Sequence, residues 1–285
     1  GWKRVCGPAM PAVRWTHAGP GDRLRGVTWI FDLPILAMGA VVLGATWLGT
    51  ALIYLTVTRL ATGDRARAFK AISPGILPPL SLMFALLVGF LAAQDWGEVE
   101  RAHTAVNREA SSLRAVVLLA GAFPGEQEAK FRKNIQDHIE DVVTREWPAM
   151  AHGDATLSMA PPRLAEALRM AILYVPSGEG QIAAQREIIE ALQGALDARR
   201  QRIILSHSSI NWVKWLVLLL EAALTLVAIA MIHSDNPRSN RIILGIFSTA
   251  VGLAVVLLVS HSGPFSGEVS VKPTVLQQLV PEATP

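Results

Sequence analysis

Four long apolar runs decide what this chain can fold into. Leu33–Val57 carries no charge between Asp32 and Arg59, and Gly75–Gln94, Trp212–Ile232 and Ile242–Ser260 follow. Each is close to the roughly 20 residues that carry a helix, at about 1.5 Å per residue, across about 30 Å of hydrocarbon. One such run could be a buried core helix, but four in a chain of 285 residues are membrane spans. The first is too long for a signal-peptide core, is flanked by polar residues downstream, and has no recognisable cleavage site after it. Composition agrees: 51% of residues are hydrophobic and 17% charged, against about a quarter charged in soluble domains.

The expected fold is an all-α membrane protein, with four transmembrane helices and a helical extramembrane domain inserted between the second and third spans. The chain divides into an N-terminal tail (1–27), spans one and two (28–94), the inserted domain (95–210), spans three and four (211–261) and a C-terminal tail (262–285). Within the domain, Val99, Ala102, Val106, Ala110, Leu113 and Val117 recur at helical spacing, so the second span is predicted to run on out of the membrane to Leu119. A second helix is expected near Glu126–Trp147, stopping before Pro148. A third follows Pro161-Pro162, with Leu164, Leu168 and Ile172 inward. A fourth, Gly180–Leu205, carries Ile182, Ile189, Leu192, Leu196 and Ile203 and leads into the third span. Past the fourth span, a turn at Gly263–Gly267 precedes a short extended piece at Val269–Val271 and a last helix near Pro273–Val280.

An even number of spans puts both termini and the domain on one side. Trp29, Trp96, Trp212 and Trp215, half of the eight tryptophans, fall at the domain-side ends of spans and form an interface belt. The short loops and their edges hold Arg59, Arg65, Arg67, Lys70, Arg238 and Arg241 against Asp64 and Asp235, which predicts a cytoplasmic side for them and an extracytoplasmic domain. Lys3, Arg4, Arg14, Arg23 and Arg25, with Arg199, Arg200 and Arg202, vote the other way.

The net charge of +3 does not point to nucleic acid, because the basic residues cluster beside the apolar runs. Cys6, the only cysteine, excludes an internal disulfide and a thiolate metal cage. Phosphate-loop, zincin and nucleophile-elbow motifs are missing, so no catalytic residue, cofactor or metal is expected and the chain does not read as an enzyme. Glu100 and His103 have the spacing of a carboxylate-bridged di-iron site. No second copy accompanies them, and a solvated helix face is the simpler reading. Asp137, His138, Glu140 and Asp141 likewise point in different directions around a helix.

The candidate functional residues lie inside the third span. Lys214 sits about one turn inside, where its stem can reach the interface. Glu221 lies nine residues past Trp212, about 14 Å deep and so near the bilayer centre. A carboxylate there costs on the order of 3 kcal/mol and must face protein or water. It is either a structural hydrogen-bond donor or part of a hydrated path. Lys214 and Glu221 share a face but stand two turns apart, too far for a direct pair. Small residues at Ala40, Gly44, Ala45 and Gly49, and at Gly245, Ser248, Thr249 and Gly252, mark faces where helices approach closely.

Several segments, taken in order, resemble a known family. They are Phe90–Trp96, Ala105–Arg114 with Asn107-Arg108-Glu109-Ala110, Glu146-Trp147-Pro148-Ala149, Arg199–Arg202, Trp215, and Gly263-Pro264-Phe265-Ser266-Gly267. Together they resemble the bestrophin-like domain family of bacterial integral membrane proteins over about residues 30–280. The resemblance implies a bacterial inner-membrane protein of four spans with an inserted helical domain, remotely akin to anion channels, and it supplies no site residues. The chain departs from the family in its tail 1–27, in its 66–73 loop and in Glu221. Two functions remain open: an oligomeric ion channel, or a non-conducting accessory or scaffold subunit of a larger membrane complex. The partners expected are the lipid bilayer and either further copies of the chain or that complex.

Overall fold

The structure, a computed structural model, describes residues 33–157, 161–207 and 212–279; Trp29 and the N-terminal tail lie outside them. Every regular element described is helical, and four helices are long and apolar enough to span a membrane. They are α1 (Ile35–Leu60), the first part of α3 (Leu77–Leu119), α8 (Trp212–Ile232) and α9 (Pro237–His261). The fold class read from the sequence is therefore the one observed. Between α1 and α3, a stretch expected to be a plain loop forms the short helix α2 (Asp64–Lys70), with Asp64 in its first turn and an Asp64–Arg67 pair.

α3 is the backbone of the molecule. Its 43 residues extend about 65 Å, twice the hydrocarbon thickness, so its second half necessarily stands outside the bilayer. Pro78 and Pro79 fit its first turn, where the missing N–H groups have no intrahelical role. The outer half buries Ala102, Ala105, Val106, Ala110, Leu113 and Val116 against α7 (Glu179–Ser206), which answers with Ala184, Ile188, Leu192, Ala195 and Ala198. These stripes are rich in alanine, so the two helices lie close along most of α7. Around the pair pack α4 (Gly125–Asp141), α5 (Trp147–Ala151) and α6 (Pro162–Leu173).

Three local expectations are corrected. The helix after Pro124 does not stop before Pro148. A π-helical segment, Val142–Glu146, joins α4 to α5, and Pro148 sits in the first turn of α5 where a missing donor is tolerated. On α6 and α7 the inward residues are Ala167, Ala171 and Ile188, while Ile172 and Ile182 are exposed. The small alanines win these positions because the helices approach too closely for larger side chains. Val269–Val271 is a turn and not an extended piece: Gly267 adopts φ +79° and its carbonyl accepts from the Ser270 N–H.

The segment after α9 folds back onto the domain. Phe265, Val271 and, in α10 (Thr274–Gln277), Leu276 are buried in the same core as the α3 and α7 stripes. In the membrane half, α9 packs most extensively on α1, and α8 touches α1, α3 and α9. Gly252 marks the tightest point, where an added Cβ would come within 2.6 Å of a Leu43 methyl. At the far end, Asn236 caps α9, and the buried Asn240 donates its amide to the Ala230 carbonyl at 3.1 Å.

Candidate functional site

Two polar loci stand out, one in each half. In the domain, Glu109 falls within the apolar stripe of α3 and Arg202 within that of α7, so close packing of the two helices buries both side chains completely. The Arg202 Nε donates to Glu109 Oε2 at 2.8 Å, and Nη2 donates to Glu109 Oε1 at 3.2 Å and to Glu146 Oε1 at 2.5 Å. Nη1 faces the Met150 sulfur at 3.3 Å. The guanidinium also lies 5.1 Å from the Trp147 ring centre, and Phe265 meets that ring edge-on at 5.5 Å. Arg199 donates to the second oxygen of Glu146 at 2.7 Å, and the buried His138 ring reaches Glu109 at 3.4 Å.

Electrostatics account for the charges. Burial alone would raise the Glu109 pKa. The Arg202 charge beside it, with hydrogen bonds from His138 and Arg202, outweighs that and holds it below the usual carboxylate range. Burial works against the Arg202 charge in the same way, and Glu109 and Glu146 overcome it and raise its pKa. The network clamps α3, the π-segment, α5 and α7 at the membrane-proximal end of the domain. It also gathers the Asn107–Ala110, Glu146–Ala149, Arg199–Arg202 and Gly263–Gly267 segments, scattered over 160 residues of sequence, around one guanidinium.

Glu221 occupies the other locus. It lies at the edge of the packed face of α8, beside the buried Leu218, Ala222 and Thr225, and its Oε1 is buried with no hydrogen-bond partner. The Thr225 hydroxyl donates to the Glu221 backbone carbonyl at 2.9 Å, so it leaves that carboxylate unsatisfied. Lys214 is half-buried two turns away, and its charge acts on Asp95. Of the tryptophan belt, Trp96 and Trp212 are exposed, Trp96 meets His261 edge-on at 6.2 Å, and Trp215 packs against the Phe84 and Leu218 cluster.

Other polar residues separate. Asp137 pairs with Lys133 and Arg163, Asp141 with Arg145, and His138 turns inward to Glu109, while Glu100 and His103 are exposed. Among the described residues no group of three or more His, Cys, Asp or Glu side chains is placed to hold a metal ion.

Sequence reasoning missed the ionic network. Its signal was available, since Glu109 and Arg202 sit next to Ala110 and Ile203 on stripes otherwise apolar, but the arginines were weighed as topology charges instead.

A family model for the bestrophin-like domain matches residues 44–276, well over half of the chain. No curated protein and no solved structure matches it. The chain belongs to the bestrophin-like family and is a membrane protein.

Proposed function

We propose that this bestrophin-like protein is a subunit of an oligomeric ion channel in a bacterial inner membrane, without catalytic activity of its own. The observation that carries the reading is Glu221, a carboxyl near mid-membrane whose buried Oε1 has no hydrogen-bond partner among the described residues. Such a group is expensive in hydrocarbon and is expected to face the bundle interior or a water-filled cavity. Only 11% of the apolar window of α1 and of α3 is buried, against 33% in α8 and α9. Much span surface is thus free for lipid or for further copies. Full-length protein in planar bilayers should pass current under an ionic gradient; silence under every gradient would overturn the reading.

A second reading, the non-conducting accessory subunit, has one observation in its favour. The hydroxyls of Thr46, Thr225 and Thr249 are spent on carbonyls one turn back, which leaves a sparsely polar lining. Gentle purification of the native protein distinguishes the two: a second membrane complex in fixed ratio, without current, supports the accessory role.

We further infer that the domain is extracytoplasmic. Arg199 and Arg202, counted from the sequence against this orientation, are paired with Glu109 and Glu146 and so add little net positive charge beside the third span. Reporters fused after Gly153 and after Pro237 should lie on opposite sides, with the first outside the cytoplasm.

A further inference from the structure

We propose that the end of the bundle away from the domain is a binding surface for anionic phospholipids, with Arg59, Arg238 and Arg241 as headgroup contacts. It depends neither on the channel reading nor on which side of the membrane the domain occupies. The two ends of the spans treat their arginines differently. Beside the domain, Arg199 and Arg202 are spent on Glu109 and Glu146 within the chain. At the far end, Arg59, Arg238 and Arg241 are exposed and form no ion pair among the described residues. Arg241 Nε donates to the Pro237 carbonyl of its own helix at 3.1 Å, which leaves its charge unmatched. Asp64, in the loop after α1, is taken by Arg67 at 3.5 Å.

Packing brings the three arginines to one place. α1 and α9 run antiparallel, in a register that sets Leu43 by Gly252 and Thr50 by Ser248. Val57 and Leu244 then share an apolar cluster, and the same register brings Arg59 level with Arg241. Arg238 and Arg241 repel each other one turn apart, at the positive end of the α9 dipole, in a first turn without any acid. Like charge is concentrated where the chain favours it least, and an anion supplied from outside offsets it. Beneath these charges the surface is apolar. Ile242 and Ile246 follow Arg238 at four-residue steps on one face of α9, 62% and 69% exposed. Beside them Gly245 follows Arg241, and an added Cβ there would meet no atom within 4 Å. A cationic rim above an open apolar stripe matches a lipid, phosphate above and acyl chain below, better than it matches a soluble anion.

The test uses full-length protein in detergent with added phosphatidylglycerol or phosphatidylcholine of identical acyl chains. Melting followed by tryptophan fluorescence gives the apparent affinity, and native mass spectra count the lipids retained. Phosphatidylglycerol should raise the melting temperature and stay bound, and phosphatidylcholine should do so far less. Arg238→Gln combined with Arg241→Gln should weaken phosphatidylglycerol binding about thirtyfold, about fivefold for each basic charge removed. Arg59→Gln, on the other helix, should weaken it about fivefold. Arg114→Gln combined with Arg186→Gln, two exposed positions on the domain, lowers the net charge equally and should leave binding unchanged. Equal effects of the two lipids overturn the proposal. So does inorganic phosphate that reproduces the whole effect, since the ligand is then a soluble anion. Preference that survives the far-end substitutions, or falls as far in the domain control, overturns the placement of the site. If the double variant does not fold, Arg59→Gln and the wild-type lipid preference still decide.

Discussion

In the extramembrane half, each of the three guanidinium nitrogens of the fully buried Arg202 meets an acceptor; in the membrane half, a buried oxygen of Glu221 meets none. The domain folds against water, where a buried ion pair survives only if its hydrogen bonds are complete. Its helices therefore converge on a satisfied network. The spans have no hydrophobic force pressing them together and rely on close packing and a few hydrogen bonds. Gly252 against Leu43 and Thr50 against Ser248 at 2.9 Å are such contacts. A polar group can therefore remain there without a complete set of partners, as Glu221 Oε1 does among the described residues. The contrast assigns stability to the first locus; the proposed channel reading rests on the second.

Removing the clamp should have the largest effect. Arg202→Met strands the Glu109 carboxylate in the core, and thermal or denaturant unfolding of the full-length protein in detergent should show a loss of about 3–5 kcal/mol. A near-neutral result would mean that water reaches Glu109 and that the two halves differ less than described.

Acid should act on the same locus. Glu109 is held below the ordinary glutamate range in the folded state, so its contribution is present in full above about pH 4.3 and is lost as the pH falls through the depressed folded value. The melting temperature should therefore drop on acidification in this window, and Glu109→Gln, already destabilised, should show a flatter profile.

In the membrane half, Gly252→Val pushes directly on Leu43 and should cost about 1–3 kcal/mol by overpacking, read as earlier unfolding in the same detergent. Thr50→Val removes one interhelical hydrogen bond, worth about 0.6 kcal/mol on average in membrane proteins. Glu221→Leu should cost least of all, neutral to stabilising, because Oε1 is buried without a hydrogen-bond partner among the described residues. A loss as large as that of Arg202→Met would place Glu221 in a structural contact and erase the contrast.

The sequence by itself determined the four spans, the continuation of the second span into the domain, and the position of Glu221 along α8. These follow from local rules: a bilayer demands long apolar runs, and a helix has a fixed rise and period. It also carried the family, through short segments spread along the chain. What it could not yield was why those segments belong together. Glu109, Glu146, Trp147, Arg199, Arg202 and Phe265 meet only because α3 and α7 pack through alanines, the π-segment turns Glu146 inward, and Gly267 folds the chain back after α9. Whether an arginine near a span is a topology charge or a buried clamp depends on the residue across the interface. That partner is 93 positions away for Arg202 and Glu109, and no periodicity within one helix can identify it.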